Sequence, residues 1–166
     1  MLTNIGIFCA WLGLKSFAYI YPEMHNKQML IQHVAFEETP SQVAIRGFLE
    51  KHPKTQVANA TLVFGEKHAQ HAIIETRRAF AEKRNISKTE EMEFLLRLMG
   101  VRQINKALEA ALPNHEAVFI SWSENAKESY DDFLAQFGAK HAEAKAHTQD
   151  EVLDAIEQTS TFWLNN

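Results

Sequence analysis

Three segments of this chain set a hydroxyl residue three positions ahead of a glutamine or glutamate at the head of a helical pattern: Thr39-Pro40-Ser41-Gln42, Ser87-Lys88-Thr89-Glu90 and Thr148-Gln149-Asp150-Glu151. Each is the signature of a helix start. The hydroxyl can accept a backbone N–H of the first turn, and the longer side chain can reach back to the cap. Pro40 suits the first helical position, where its missing N–H costs nothing. With three helix starts set in this way, the apolar runs between them must supply strands and the remaining helices.

Met29 to Phe36 alternates as a strand, with Leu30, Val34 and Phe36 on one face. The first box opens a helix through Val43, Phe48 and Leu49 that stops before Pro53. Val57 to Phe64 reads as a second strand, broken by Gly65. From Glu66 to Lys83 a helix carries Ala69, Ala72, Ile73, Thr76 and Phe80 on one stripe. The second box, capped by Ser87, opens a helix with Met92, Leu95, Leu96 and Met99 inward. Gly100 is its C-cap, turning the chain into another helix from Arg102 to Ala111. Ala117 to Trp122 is the strongest strand, and Ser123 caps a helix with Tyr130, Phe133, Leu134 and Phe137 inside. Ala139 to Ala146 is expected as a short edge strand. The terminal helix puts Val152, Leu153 and Ile156 inward, followed by Phe162-Trp163-Leu164. This order predicts an α+β fold, a single-domain sandwich of about four mostly antiparallel strands with six or so helices.

The first 28 residues differ. Ile5 to Leu14 is nearly all apolar, yet no Lys or Arg precedes Lys15, so the basic leading segment of an export signal is missing. The run is about 10 residues against the roughly 20 of a membrane span. Residues 1–28 are therefore expected to be an apolar extension, and 29–166 the domain. A membrane-tethered adaptor stays open as an alternative.

Hydrophobic residues make up 46% and charged residues 23%, which excludes a disordered or collagen-like chain. The net charge of −4 divides unevenly: residues 1–66 are neutral, 67–108 carry +4 and 109–166 carry −8. A basic middle beside an acidic tail suggests two surfaces with different clients, or simply solvated helix faces. The lone Cys9 excludes an internal disulfide and a cysteine-based zinc site, and fits a reducing, cytoplasmic compartment.

No phosphate-cradling glycine loop and no nucleophile elbow is present. His68 and His71, three apart on one helix, have a spacing that can hold a metal, but they lack the glutamate and the longer interval of the common helical zinc site. A metal-dependent hydrolase using this pair is the alternative enzymatic reading. The expectation is no enzyme, no metal and no cofactor, because no nucleophile–base–orienter set is legible. What the middle of the chain offers is basic and amide density: Lys67, His68, His71, Arg77 and Arg78, then Arg97, then Arg102, Gln103 and Lys106. A cation near a helix start opposes the dipole, and a bound anion would relieve the conflict. Pairing of Arg97 and Arg102 with Glu90, Glu93 or the acidic tail is the other explanation.

The run Met92-Glu93-Phe94-Leu95-Leu96-Arg97-Leu98-Met99-Gly100-Val101-Arg102-Gln103-Ile104-Asn105-Lys106-Ala107-Leu108 resembles the core element of the kinase-binding subunits of the KEOPS complex. Lys67-His68-Ala69-Gln70-His71-Ala72 is similar to a second element of that family, at the right distance upstream. The resemblance covers roughly Met29 to the C-terminus, about five-sixths of the chain, and matches neither the leader nor Ala79–Ser87. It implies a non-catalytic subunit that binds and activates the small atypical kinase/ATPase subunit and joins the rest of the complex through it. It also implies capture of tRNA by the 3′ CCA end, for threonylcarbamoyl-adenosine modification carried out by a metal-dependent partner subunit, away from any membrane. On that reading Lys67, His68, His71, Arg97, Arg102 and Gln103 face RNA, while Ile104, Leu108, Phe162 and Trp163 face the protein partner.

Overall fold

The computed structural model describes residues 29–162. The expectations for the leader, Trp163 and Leu164 lie outside that range. In chain order the elements are β1 (Leu30–Ala35), α1 (Gln42–Leu49), β2 (Thr55–Asn59), a short 3-10 turn (Ala60–Leu62), α2 (Glu66–Ala81), α3 (Glu90–Leu98), α4 (Ile104–Ala111), β3 (Glu116–Ser121), α5 (Ala126–Phe137), β4 (Lys140–His141) and α6 (Gln149–Ser160). The four strands of the described residues form one antiparallel sheet in the order β2-β3-β1-β4, and residues 29–162 make a single α+β domain.

The registers Ile31↔Ile120, Val34↔Ala117 and Val57↔Phe119 set which side chains share a face. Because side chains alternate along a strand, Ala117 and Phe119 point one way and Val118 and Ile120 the other. On the first face Val34, Phe36, Val57 and Phe119 pack against Ile45 and Phe48 of α1 and Tyr130 and Phe133 of α5. The Phe133 ring sits 5.3 Å from both Phe48 and Phe119, within the range of favourable aromatic pairing. On the second face Ala58, Val118, Ile120 and Trp122 meet Ile73 of α2, Phe94 and Leu96 of α3, Ala107 of α4 and Phe162. The sheet thus lies between two helical layers.

Several boundaries move from their expected places, each for a local reason. Ser41, not Thr39, caps α1, accepting the Ala44 N–H at 3.2 Å. That shift turns Ile45 and Phe48 inward and leaves Val43 81% exposed. β2 ends at Asn59, well short of Phe64, because Asn59 Oδ1 accepts the N–H and hydroxyl of Thr61 and bends the chain into the 3-10 turn. Thr89, not Ser87, caps α3. α4 begins at Ile104, not Arg102. Asn125 rather than Ser123 occupies the N-cap of α5. The edge strand shrinks to Lys140–His141. α6 carries the capping box in full, with both arms made by Thr148 and Glu151. Its inward face is Ala155 and Thr159, flanked by Val152 and Ile156, and Leu153 stays exposed.

Gly100 does what its position promises. With φ +63 it closes α3 in a Schellman turn, in which Val101 N–H donates to the Leu96 carbonyl and Gly100 N–H to that of Arg97.

Candidate functional site

The segments that carry the resemblance converge on one side of the second layer. α2 and α3 pack together, α4 follows α3 through the Gly100 turn, and α6 lies on α2. The last turn of α6 joins the two: Ser160 Oγ lies 2.8 Å from His71 Nε2, and a Cβ built on Gly100 would lie 3.7 Å from Gln158 Cβ.

Of the six residues expected to face RNA, three lie on the surface. Lys67 is exposed in the first turn of α2, which begins at Gly65 without a side-chain cap. Arg102 and Gln103 are exposed between Gly100 and α4, with Gln103 at the N-cap and making no capping bond of its own. Arg102 therefore precedes the helix and does not sit inside its first turn.

Two others are corrections. Arg97 has no exposed surface; its Nε and one terminal nitrogen donate to Glu93 Oε1 at 3.1 and 2.8 Å, and its guanidinium lies 4.9 Å from the Phe162 ring centre. It belongs to the core, as the ion-pair alternative requires. His68 is likewise buried. Its Nδ1 accepts the Phe64 N–H at 3.2 Å, which places the ring proton on Nε2, 3.5 Å from Thr159 Oγ1. Burial, then the neighbouring His71, pulls its pKa down to about 4, so the ring is neutral at physiological pH. His71, half-buried, is also held below the ordinary histidine range by burial, with Glu75 opposing. Neither ring stacks on an open face. The Nε2 atoms of both rings face hydroxyls of α6, while His68 Nδ1 holds Phe64, and among the described residues no group of three His, Cys, Asp or Glu is placed to hold a metal.

Of the partner-facing set, Phe162 is a further correction: it is buried in the second-face core. Ile104 and Leu108 are on the surface, 39% and 36% exposed, and Leu112 continues them at 37%. The three recur every fourth residue, so they share one face of α4. Ala107 and Ala111, three and seven residues after Ile104, lie beside this stripe on the buried side, small residues that let the helix lie close to the core and leave Ile104 and Leu108 as its partly exposed shoulder.

Leu108 and Leu112 also line a cleft of about 290 Å³, whose apolar walls include Leu49 of α1, Val57 of β2, and Met92 and Leu95 of α3. The cleft straddles the sheet edge at β2. That edge is blunted from within: Gln56 Oε1 accepts the Val57 N–H at 2.9 Å, while Gln56 Nε2 donates to the Glu91 carbonyl. Sequence reasoning missed Leu112 and the cleft. The fourfold spacing from Ile104 marked Leu112, but nothing local could show that α1 and β2 close the other wall.

Basicity elsewhere is largely internal to helices. Arg78 pairs with Glu75 and Glu82, and Arg84 with Glu82. Among the described residues no helix is long and apolar enough to cross a membrane. No protein-family model matches this chain, and no curated protein sequence matches it significantly.

Proposed function

We propose that this chain is a non-catalytic adaptor subunit of a cytoplasmic KEOPS-type tRNA-modifying complex. It docks the small atypical kinase/ATPase subunit through the α4 stripe and its cleft, and guides the 3′ CCA end of tRNA with the surface at Lys67, Arg102 and Gln103. The observation that carries this reading is the juxtaposition at the Gly100 turn. Arg102 and Gln103, suited to phosphates and bases, are followed at once by Ile104, the first residue of an exposed apolar stripe. Side chains of the first kind follow a single strand, by cation–phosphate attraction and hydrogen bonding. A stripe of the second kind, continuous with a cleft, suits a helix or strand of a protein partner. The resemblance of residues 92–108 gives both partners their identity.

The test uses the purified full chain. Intact tRNA should bind, and tRNA trimmed of its 3′ CCA should bind at least tenfold more weakly. Leu108→Asp should abolish capture of the kinase subunit and leave tRNA binding in place. Equal affinity for trimmed and intact tRNA, together with no kinase capture, would defeat the proposal.

A further inference from the structure

α6 reaches the body through residues 142–147, which form no helix or strand, and it buries little apolar surface of its own. Histidines supply two of its polar anchors, beside the Arg97 carbonyl of α3 that accepts the Thr159 hydroxyl. His68 and His71, one turn apart on α2, meet the consecutive hydroxyls Thr159 and Ser160. At the entrance to α6, the His147 ring packs 5.1 Å from Phe64, the residue whose N–H binds His68. His147 Nε2 is buried with no hydrogen-bond partner among the described residues.

The charged surroundings distinguish these rings. Glu75 of α2, itself paired with Arg78, favours a charged His71. Glu151 of α6 approaches His147 Nδ1 at 3.9 Å. From the sheet, His33 of β1 feels His147 and His141 of β4 against it and Glu116 of β3 for it. From α3, Arg97 and Glu93 are engaged with each other, and the Arg97 carbonyl accepts the Thr159 hydroxyl at 3.2 Å. His68 is the exception: burial and the charged groups acting on it, His71 and His147, oppose a proton, and only the Leu98 carbonyl of α3 favours one.

Geometry gives His68 the same distinction. A second proton on its ring must go to Nδ1, the atom that now accepts the Phe64 N–H. That bond would then become an N–H facing an N–H. The protonated ring has to leave its pocket, and in leaving it gives up Thr159.

We propose that the α2–α6 seam is a proton-sensitive latch, in which protonation of His68 releases α6 from α2 while the sheet and the other helices stay folded. Release of one weakly buried helix is a local opening, which proteins undergo well below the cost of global unfolding. Histidine is the side chain whose charge changes on mild acidification. Opening α6 would also withdraw Phe162 from Arg97 and uncover the Gly100 turn beside Gln158, coupling acidity to the surface around Arg102.

Hydrogen exchange on the full chain, corrected for intrinsic rates, tests this between pH 7.5 and 4.5. Amides of residues 150–160 should lose at least tenfold protection while those of 117–121 keep theirs. His68→Asn, whose carboxamide oxygen can replace Nδ1 as acceptor but does not titrate, should abolish the pH dependence of α6. His71→Gln should leave most of it. Loss of protection in α6 and β3 together, or an unchanged pH response in His68→Asn, would overturn the proposal. If His68→Asn leaves α6 open at every pH, an NMR titration of the wild-type ring decides. Release that follows the His68 ring signal supports the latch, and release that follows another histidine or none refutes it.

Discussion

Glu93 and Arg97, one turn apart on α3, form an ion pair with neither side chain exposed to solvent. The carboxylate works on both sides. Its Oε1 takes the guanidinium, while Oε2 accepts the N–H groups of Ile86 and Ser87 at 2.8 and 2.9 Å and so ties down the loop ahead of the helix. Phe162 covers the guanidinium from the C-terminal side. The two residues most conspicuous in the sequence as charged thus hold together α3, its preceding loop and the end of α6.

Breaking this pair should be expensive. Arg97→Ala leaves a carboxylate buried without its cation and should cost about 3–5 kcal/mol in urea unfolding. Glu93→Gln keeps an acceptor for the loop N–H groups but loses the charge attraction, and should cost less than Arg97→Ala. Equal stability of Arg97→Ala and wild type would mean the pair contributes nothing to the fold.

His68 should give global stability an acid limb. Its folded pKa, about 4, lies below the ordinary histidine value of 6.5, so the unfolded chain binds the proton more readily. Its contribution is complete above about pH 6.5 and is lost as pH falls toward 4, to a total of about 3 kcal/mol at most. Denaturant midpoints across that range should fall more steeply for wild type than for His68→Asn. Parallel curves for the two proteins would count against it.

Lys83 marks a correctable strain. It sits at φ +56 in the left-handed region, at the end of α2, where Arg84 N–H reaches the Ala79 carbonyl in the same turn that Gly100 makes after α3. Lys83→Gly should raise stability by up to ~1 kcal/mol, and Gly100→Ala should lower it by about 1–2 kcal/mol. A Cβ at Gly100 meets Gln158 only at ordinary contact distance, so the expected loss is backbone strain rather than a clash. Melting both variants beside wild type checks the two signs together.

Arg102 and Lys67 should affect tRNA binding. Reversing either to Glu should weaken tRNA binding and reduce its salt slope by about one per lost phosphate contact. For Lys67→Glu thermal stability should change by no more than about 0.5 kcal/mol, as for exposed positions generally. A salt titration at two ionic strengths suffices, and an unchanged slope in both variants would remove this surface from RNA recognition.

The local grammar of the fold was legible in the chain itself. Thr148 and Glu151 make the capping box their spacing promises, Gly100 and Gly138 end helices in the left-handed region, and the run around Val118 and Phe119 is one of the two inner strands. Such features depend on hydrogen bonds and φ angles within a few residues, so sequence alone determines them. Of the α4 stripe, Ile104 and Leu108 were read from the sequence and Leu112 was not. What only the tertiary structure decided is which polar residues are inside. A histidine or arginine in a basic run looks the same whether it points to solvent or inward. The sequence could not place Thr159 against His68, 91 residues away, or close Phe162 over Arg97. Burial is a property of what packs on top, and here α6 arrives from the far end of the chain to cover His68 and Arg97, leaving Arg102, one turn further on, at the surface.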